Sequence, residues 1–372
     1  MTKVISYKNP ELTTVKDNKA VWNLPKTRRY GYRNLHKINR YGLFLRSDLV
    51  LKLKKKYKDT IYKKPLVKKM TKHKSFCSLI VGNKQNIYFE KYAKDFTENQ
   101  PQTIMSITKM FVNLFVGELL NNKSINLDKK VSYYLPKIGS GYANAKVQDV
   151  LNMNVINAYT EDYTKAYSSS FLHEPVGGWR LPKNSDKHSS QEDYLNTIKS
   201  KKNRNLKNKS NLAFYKSANT DVIGLIVEKI SGKPLRHWML RAVEAAGFEE
   251  GIYIASDRYG MPWMSGGGCL ITRDFLRMGL LFARKGKGVG NRRIGSASFL
   301  DQTVKNVGPK YMNLSENKYL YYSNSTMVSG NIIGHSGYGG QFLAVNLKTG
   351  NVAAFFSVLE TKSATKESYK VD

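Results

Sequence analysis

The stretch QTIMSITKMFVNLFVGELL, residues 102–120, sets a hydroxyl and an amine three residues apart at the head of an apolar run. On a helix Ser106 and Lys109 share a face. Around the lysine stand Ile107, Met110 and Phe111. Apolar neighbours desolvate an ammonium group and lower its pKa, bringing a neutral base within reach near pH 7. Such a base accepts a serine proton and turns a weak nucleophile into a strong one. A serine at a helix N-terminus also has backbone N–H groups and the positive dipole end beside it, suited to an oxyanion. The plainer reading is a helix-capping serine beside a surface lysine.

The spacing S-x-x-K is not selective by itself. Two more copies occur, SENK at 315–318 and SATK at 363–366, both in polar stretches with no apolar helix behind them. Two other pieces bear on the choice. FYKSANTDVIG puts Tyr215 directly before a helical pattern, and GHSGYGGQF (334–342) reads as a glycine-rich turn leading into a strand. Singly, each has an ordinary explanation. Tyr215 is one of 24 tyrosines, the glycines at 266–268 and 337–340 suit tight turns, and His335 suits a satisfied core or surface site. Jointly, and in this order, they point to chemistry.

In order and spacing these motifs resemble the penicillin-recognising serine hydrolases: class C β-lactamases, DD-peptidases and related esterases. Within that group the chain most resembles the 6-aminohexanoate-dimer hydrolase branch, through SITK, VQDVLNM, TEDY, YKSANTDVIG, the SGGG ahead of TRDFLRMG, and GHSGYGGQF. The likeness runs over roughly residues 75–360, with a weaker echo in VWNLP and NRYGL. It implies an α/β (α+β) fold of β-lactamase/transpeptidase type, an antiparallel sheet flanked by helices plus a helical domain, with the site in the cleft between. The sheet part would be about 75–105 and 240–365, the helical part about 106–240. The implied reaction is acyl transfer to Ser106 and then hydrolysis, on a small amide or ester; a carboxylesterase of the same fold is the alternative. No metal or organic cofactor is implied.

The resemblance also implies roles. Ser106 would be the nucleophile, Lys109 its proton acceptor and Tyr215 the proton shuttle to the leaving group. The backbone N–H groups of Ser106 and Tyr338 would form the oxyanion hole. His335, Ser336 and Gly337 stand where many relatives have Lys-Thr-Gly, and Tyr163 matches a loop tyrosine that closes over substrate. Glu174, by its spacing to GGW, falls near an acidic contact to a substrate amine, and Ser265 falls at a polar Asn. Ser217 replaces the second-motif amide that contacts a β-lactam side chain. A histidine in place of the third-motif lysine is mostly uncharged near neutral pH, which weakens recognition of a β-lactam carboxylate.

The rest of the chain bounds the reading. At 372 residues with 41% hydrophobic content it can bury a large core. Strands read at FCSLIVGNKQNIYFEKY, joined by a Gly-Asn turn, and again in YLYYSNSTMV, GGQFLAVNL and VAAFFSVL. Helices read at NTDVIGLIVEKISG, PLRHWMLRAVEAAGF and TRDFLRMGLLFARKG. Strands at both ends around a helical middle suggest one antiparallel sheet built from the termini. Cys77 and Cys269 read as buried thiols, and the six histidines form no metal-ligand pattern.

The formal charge is +33, and residues 1–75 hold 22 Lys+Arg against 4 Asp+Glu. This leader, 1–74, is expected to pack on the body as a solvated basic segment. A second basic cluster, KSKKNRNLKNKS (199–210), likewise sits in no nucleic-acid module. The rival from another class is a catalytically idle scaffold whose leader binds a polyanion or membrane surface. No signal peptide or membrane span is read, so the cytoplasm is the default expectation. Oligomeric state is left open.

Overall fold

The computed structural model describes Trp22, residues 24–162, Lys165, and residues 168–182, 190–201, 205–311 and 319–360. Tyr163, Ser315 and Ser363 lie outside the described residues. Strands β1 (Gly42–Leu45), β2 (Lys54–Lys55), β3 (Phe76–Asn83), β4 (Asn86–Tyr92) and β5 (Gln102–Thr103) come before the helical middle. After it come β6 (Ile252–Ala255), β7 (Gly268–Leu270), β8 (Tyr321–Ser323), β9 (Thr326–Ser329), β10 (Ile332–Gly337), β11 (Gln341–Asn346) and β12 (Asn351–Ser357).

The two ends of the chain meet in one eight-stranded sheet, ordered β2-β4-β3-β12-β11-β10-β9-β8. Its pairs are antiparallel except β2 with β4. β3 is buried almost throughout because both faces of the sheet are covered. On one face Phe76, Leu79, Phe89 and Phe355 pack with Ile61, Val67 and Met70, from the short helices Asp59–Lys63 and Pro65–Lys72. On the other face Cys77, Ile80, Ala354 and Phe356 join the main core with Phe275 and Leu276 of the helix Thr272–Ala283. Each Phe, Leu or Ile among them stabilises the fold by about 1.5–3 kcal/mol on full burial.

The hairpin turn lies later than the Gly-Asn pair. Gly82 and Asn83 belong to β3, and the turn passes through Lys84 at φ 56°. Gly82 is needed for close approach: a Cβ there would meet the Asn86 carbonyl oxygen at 2.5 Å, beside a register shift between Val81 and Gly82. A second, four-stranded sheet, ordered β1-β6-β7-β5, is also present and has no counterpart in the sequence reading. Its strands are two to four residues long, too short to show a period.

The helix Met110–Asn121 is buried on nearly every side. Its polar residue Asn113 donates to the Asn324 carbonyl (2.9 Å) and to Thr303 Oγ1 (3.3 Å), tying it to the β8–β9 turn. The helix Ser217–Ser231 stops at Gly232, φ 61°, the left-handed cap its glycine suggests. The helix Arg28–Ile38 buries Tyr32 and Leu35 completely in the main core. No helix among the described residues is long and apolar enough to cross a membrane.

Candidate active site

Ser106 and Lys109 lie on a 3-10 turn, Met105–Lys109, and the α-helix begins only at Met110. That corrects the expectation of a continuous α-helix and strengthens its consequence, since residues i and i+3 eclipse in a 3-10 turn. Met105 holds φ 47°, a left-handed conformation that costs a non-glycine residue about 1–3 kcal/mol. The surroundings over-determine it. Met105 N–H donates to Thr103 Oγ1 (3.1 Å), Thr108 Oγ1 donates to the Met105 carbonyl (2.7 Å), and Gly268 N–H donates to Thr108 Oγ1 (3.0 Å). The turn that presents Ser106 is thereby pinned to β5 and β7.

Lys109 is fully buried. Its Nζ lies 3.1 Å from Ser106 Oγ and 3.3 Å from Ser217 Oγ, and it donates to the Ser265 carbonyl. The Tyr215 ring centroid is 5.1 Å from the same nitrogen. Burial pushes the lysine pKa down, opposed by the negative charges of Glu161 and Asp221. Asp221 is itself buried and pushed up, and it accepts the Ser265 N–H at 3.1 Å. A buried amine beside a serine hydroxyl can take its proton.

A cavity of about 50 Å³ opens beside Ser106, room for a few water-sized groups. Of the residues singled out in the sequence, Glu174, Ser217, Ser265 and Tyr338 line it together with Ser106. Tyr215 sits against Lys109, with its ring edge-on to Tyr311 and Tyr322. Glu174 is buried, with Arg180 Nε 4.0 Å from its Oε2. Gly337 ends β10 against the turn that carries Ser106, and a Cβ there would meet the Ile104 carbonyl oxygen at 2.5 Å. His335 and Ser336 lie in β10 itself, not in a turn, and the turn proper is Tyr338–Gly340. Ser336 Oγ faces Met327 Sδ at 3.7 Å.

A sequence profile described as Beta-lactamase matches residues 77–370. The chain belongs to the beta-lactamase family. Among its curated relatives within reach is a 6-aminohexanoate-dimer hydrolase of Paenarthrobacter ureafaciens, 28% identical over 224 residues. That match takes in 58% of this chain and 54% of the relative, so it spans about half the relative's length. A solved structure from Bacillus anthracis, provisionally named a 6-aminohexanoate-dimer hydrolase, superposes with TM-score 0.74 at 19% identity, covering 94% of this chain and 93% of that one. A provisionally named beta-lactamase from Bacteroides dorei superposes at 0.60 with 15% identity, covering 85% and 98%. Both structures show the beta-lactamase/transpeptidase-like fold.

Within this beta-lactamase-family site His335 is 3% exposed. Its Nδ1 lies 2.6 Å from the Ser336 carbonyl and its Nε2 lies 3.2 Å from Tyr322 Oη. The carbonyl can only accept, so Nδ1 carries the proton and Nε2 accepts from the tyrosine, an assignment made from the network. Burial, reinforced by the nearby Lys109 charge, pushes the His335 pKa down to about 3. This chain therefore presents a neutral ring facing protein at position 335.

Glu161, Asp221 and Trp22 are among the residues of the site that were not picked out from sequence. Glu161 bonds to Ser217, and it lies in the same TEDY motif as Tyr163. Asp221 lies in YKSANTDVIG. Trp22, in VWNLP, lines the cavity and stands edge-on to Trp179 with centroids 5.0 Å apart. Motif membership was the available signal in each case.

Proposed function

We propose that the chain is a serine hydrolase that forms an acyl-enzyme on Ser106 and cleaves small amides or esters. The observation that carries this reading is Lys109 Nζ, fully buried and 3.1 Å from Ser106 Oγ. In the proposed reaction Lys109 takes the Ser106 proton as Oγ attacks the substrate carbonyl carbon. The oxyanion is held by the backbone N–H groups of Ser106 and Tyr338. Tyr215 passes a proton to the departing amine or alcohol, the carbonyl–heteroatom bond breaks, and the acyl group stays on Ser106. Water then attacks the ester, gives its proton back through the same groups, and releases the acid and free Ser106.

The small cavity, walled by Trp22, Trp179 and Trp263, favours short or slender acyl groups. Glu174 is the acid facing that space, and Arg180 beside it offsets part of its charge. Linear amides such as the dimer for which the Paenarthrobacter relative is named are therefore the first amides to assay, beside short-chain esters. Fluorophosphonate labelling followed by intact mass and peptide mapping tests the reading. A single adduct on Ser106, absent in Ser106→Ala, is expected. Hydrolysis of a p-nitrophenyl ester should fall on the order of 10³-fold or more in that variant, while Ser315→Ala and Ser363→Ala stay near wild type. An unlabelled Ser106, or a Ser106→Ala variant with wild-type turnover, sinks the reading.

A further inference from the structure

Glu161 bonds Ser217, which itself touches Lys109. Its carboxylate accepts two bonds from Ser217: the backbone N–H at 2.8 Å to Oε2 and the hydroxyl at 2.6 Å to Oε1. Distances this short are those of charge-assisted bonds. The Ser217 proton is thereby committed to Glu161, so Ser217 Oγ meets Lys109 Nζ, 3.3 Å away, as an acceptor. The Ser265 carbonyl, a group that never donates, is a second acceptor. A neutral amine has two N–H bonds and one lone pair. With both N–H bonds spent on Ser217 and Ser265, the lone pair is left for the third neighbour, the Ser106 hydroxyl at 3.1 Å.

We propose that Glu161 is a positioning residue: by holding the Ser217 proton it aims the Lys109 lone pair at Ser106. The inference rests on the hydrolase reading above. The step balances within it. The Ser106 proton moves to Nζ, giving an ammonium with three N–H donors for Ser106, Ser217 and Ser265, while Glu161 neither gains nor loses a proton. Were Ser217 free to rotate, its proton could point at Nζ instead and occupy the lone pair the reaction needs.

Other titratable groups also face Lys109. Asp221 does so from the helix Ser217–Ser231, Tyr215 from just before that helix, and His335 from β10. Lys216, buried and lowered to about 7, feels Glu161 as well and donates to the Val155 carbonyl. All of these remain when Glu161 alone is replaced, so a difference between parent and variant reports Glu161. Its negative charge raises the proton affinity of Lys109. Removing that charge makes Lys109 neutral at lower pH, and the acid limb of reactivity must move down.

The test is the rate of fluorophosphonate labelling of Ser106 between pH 5 and 9, which needs no knowledge of the natural substrate. In Glu161→Gln the acid limb should move to lower pH by on the order of one unit, the lower end for loss of a nearby opposite charge. The plateau should fall about 10-fold as the amine loses its orientation, a part of the roughly 10²–10⁴-fold that a positioned general base contributes. Glu161→Asp, which keeps the charge, should hold the limb near its wild-type position. Ser217→Ala should lower the plateau while leaving the limb closer to wild type than Glu161→Gln does. A Glu161→Gln limb that does not move overturns the inference even if the rate drops, because damaged packing alone slows labelling. Should Glu161→Gln fail to fold, a Ser217→Ala plateau equal to wild type overturns it. If the wild type is not labelled at Ser106 at all, the hydrolase reading itself has failed, a result distinct from these.

Discussion

His335 gives the structure a stability signature that depends on pH. Its pKa is about 3 in the fold against 6.5 for an ordinary histidine, because the ring is buried beside Lys109. The folded value is the lower one, so the unfolded state binds the extra proton as pH falls. The neutral ring's contribution is therefore fully present above pH 6.5 and is lost progressively between pH 6.5 and about 3. At pH 5 the unfolded histidine is about 97% protonated and the folded one almost not at all, which weakens the fold by about 2 kcal/mol relative to pH 8. His335→Gln keeps an acceptor for Tyr322 Oη but cannot titrate. Urea unfolding of both proteins at pH 8 and pH 5 isolates the effect, because His36, also lowered by burial, and every other titrating group cancel between them. The penalty of the substitution should shrink by about 2 kcal/mol on going from pH 8 to pH 5. An unchanged penalty, or a His335 ring that titrates near 6.5 by NMR, would refute the buried neutral histidine.

Four other outcomes follow from the same geometry. Lys109→Arg keeps a cation but cannot supply a neutral base, so ester hydrolysis should fall nearly as far as in Lys109→Ala, and Tyr215→Phe should slow turnover while leaving some acylation; full activity in both excludes the mechanism. With Ser217 and a neutral His335 in the second and third motifs, the kcat/KM for nitrocefin should lie below that of the best short-chain ester in a panel, and a value above every ester contradicts this. Trp22→Ala removes one wall of the cavity and an edge-to-face partner of Trp179, so KM for small esters should rise severalfold while Ser106 is still labelled at saturating probe. Lys54, Lys55, Lys56 and Lys58 are all exposed, and reversing their charge should leave ester hydrolysis nearly unchanged. Wild-type binding to heparin or anionic vesicles should vanish by physiological salt, where the screening length is about 8 Å; tight binding that persists there and needs these lysines would reveal a partner.

Much of this protein was legible because its signals are local. The apolar run behind Ser106, the helix stopping at Gly232 and the strands flanking residues 84–85 depend on contacts within a few residues, which a sequence displays directly. The order of the motifs is likewise a one-dimensional fact, and it was enough to point to the fold. What the tertiary structure decided is which distant groups share one buried space. Glu161 reaches Ser217 across 56 positions of chain, and Trp22 lines one cavity with Ser106, 84 residues on. The short strands of the second sheet exist only because each has a neighbour. The charge states of Lys109, Asp221 and His335 belong to that class too. A pKa is set by the water removed and the charges brought near, and burial and proximity are properties of the folded chain.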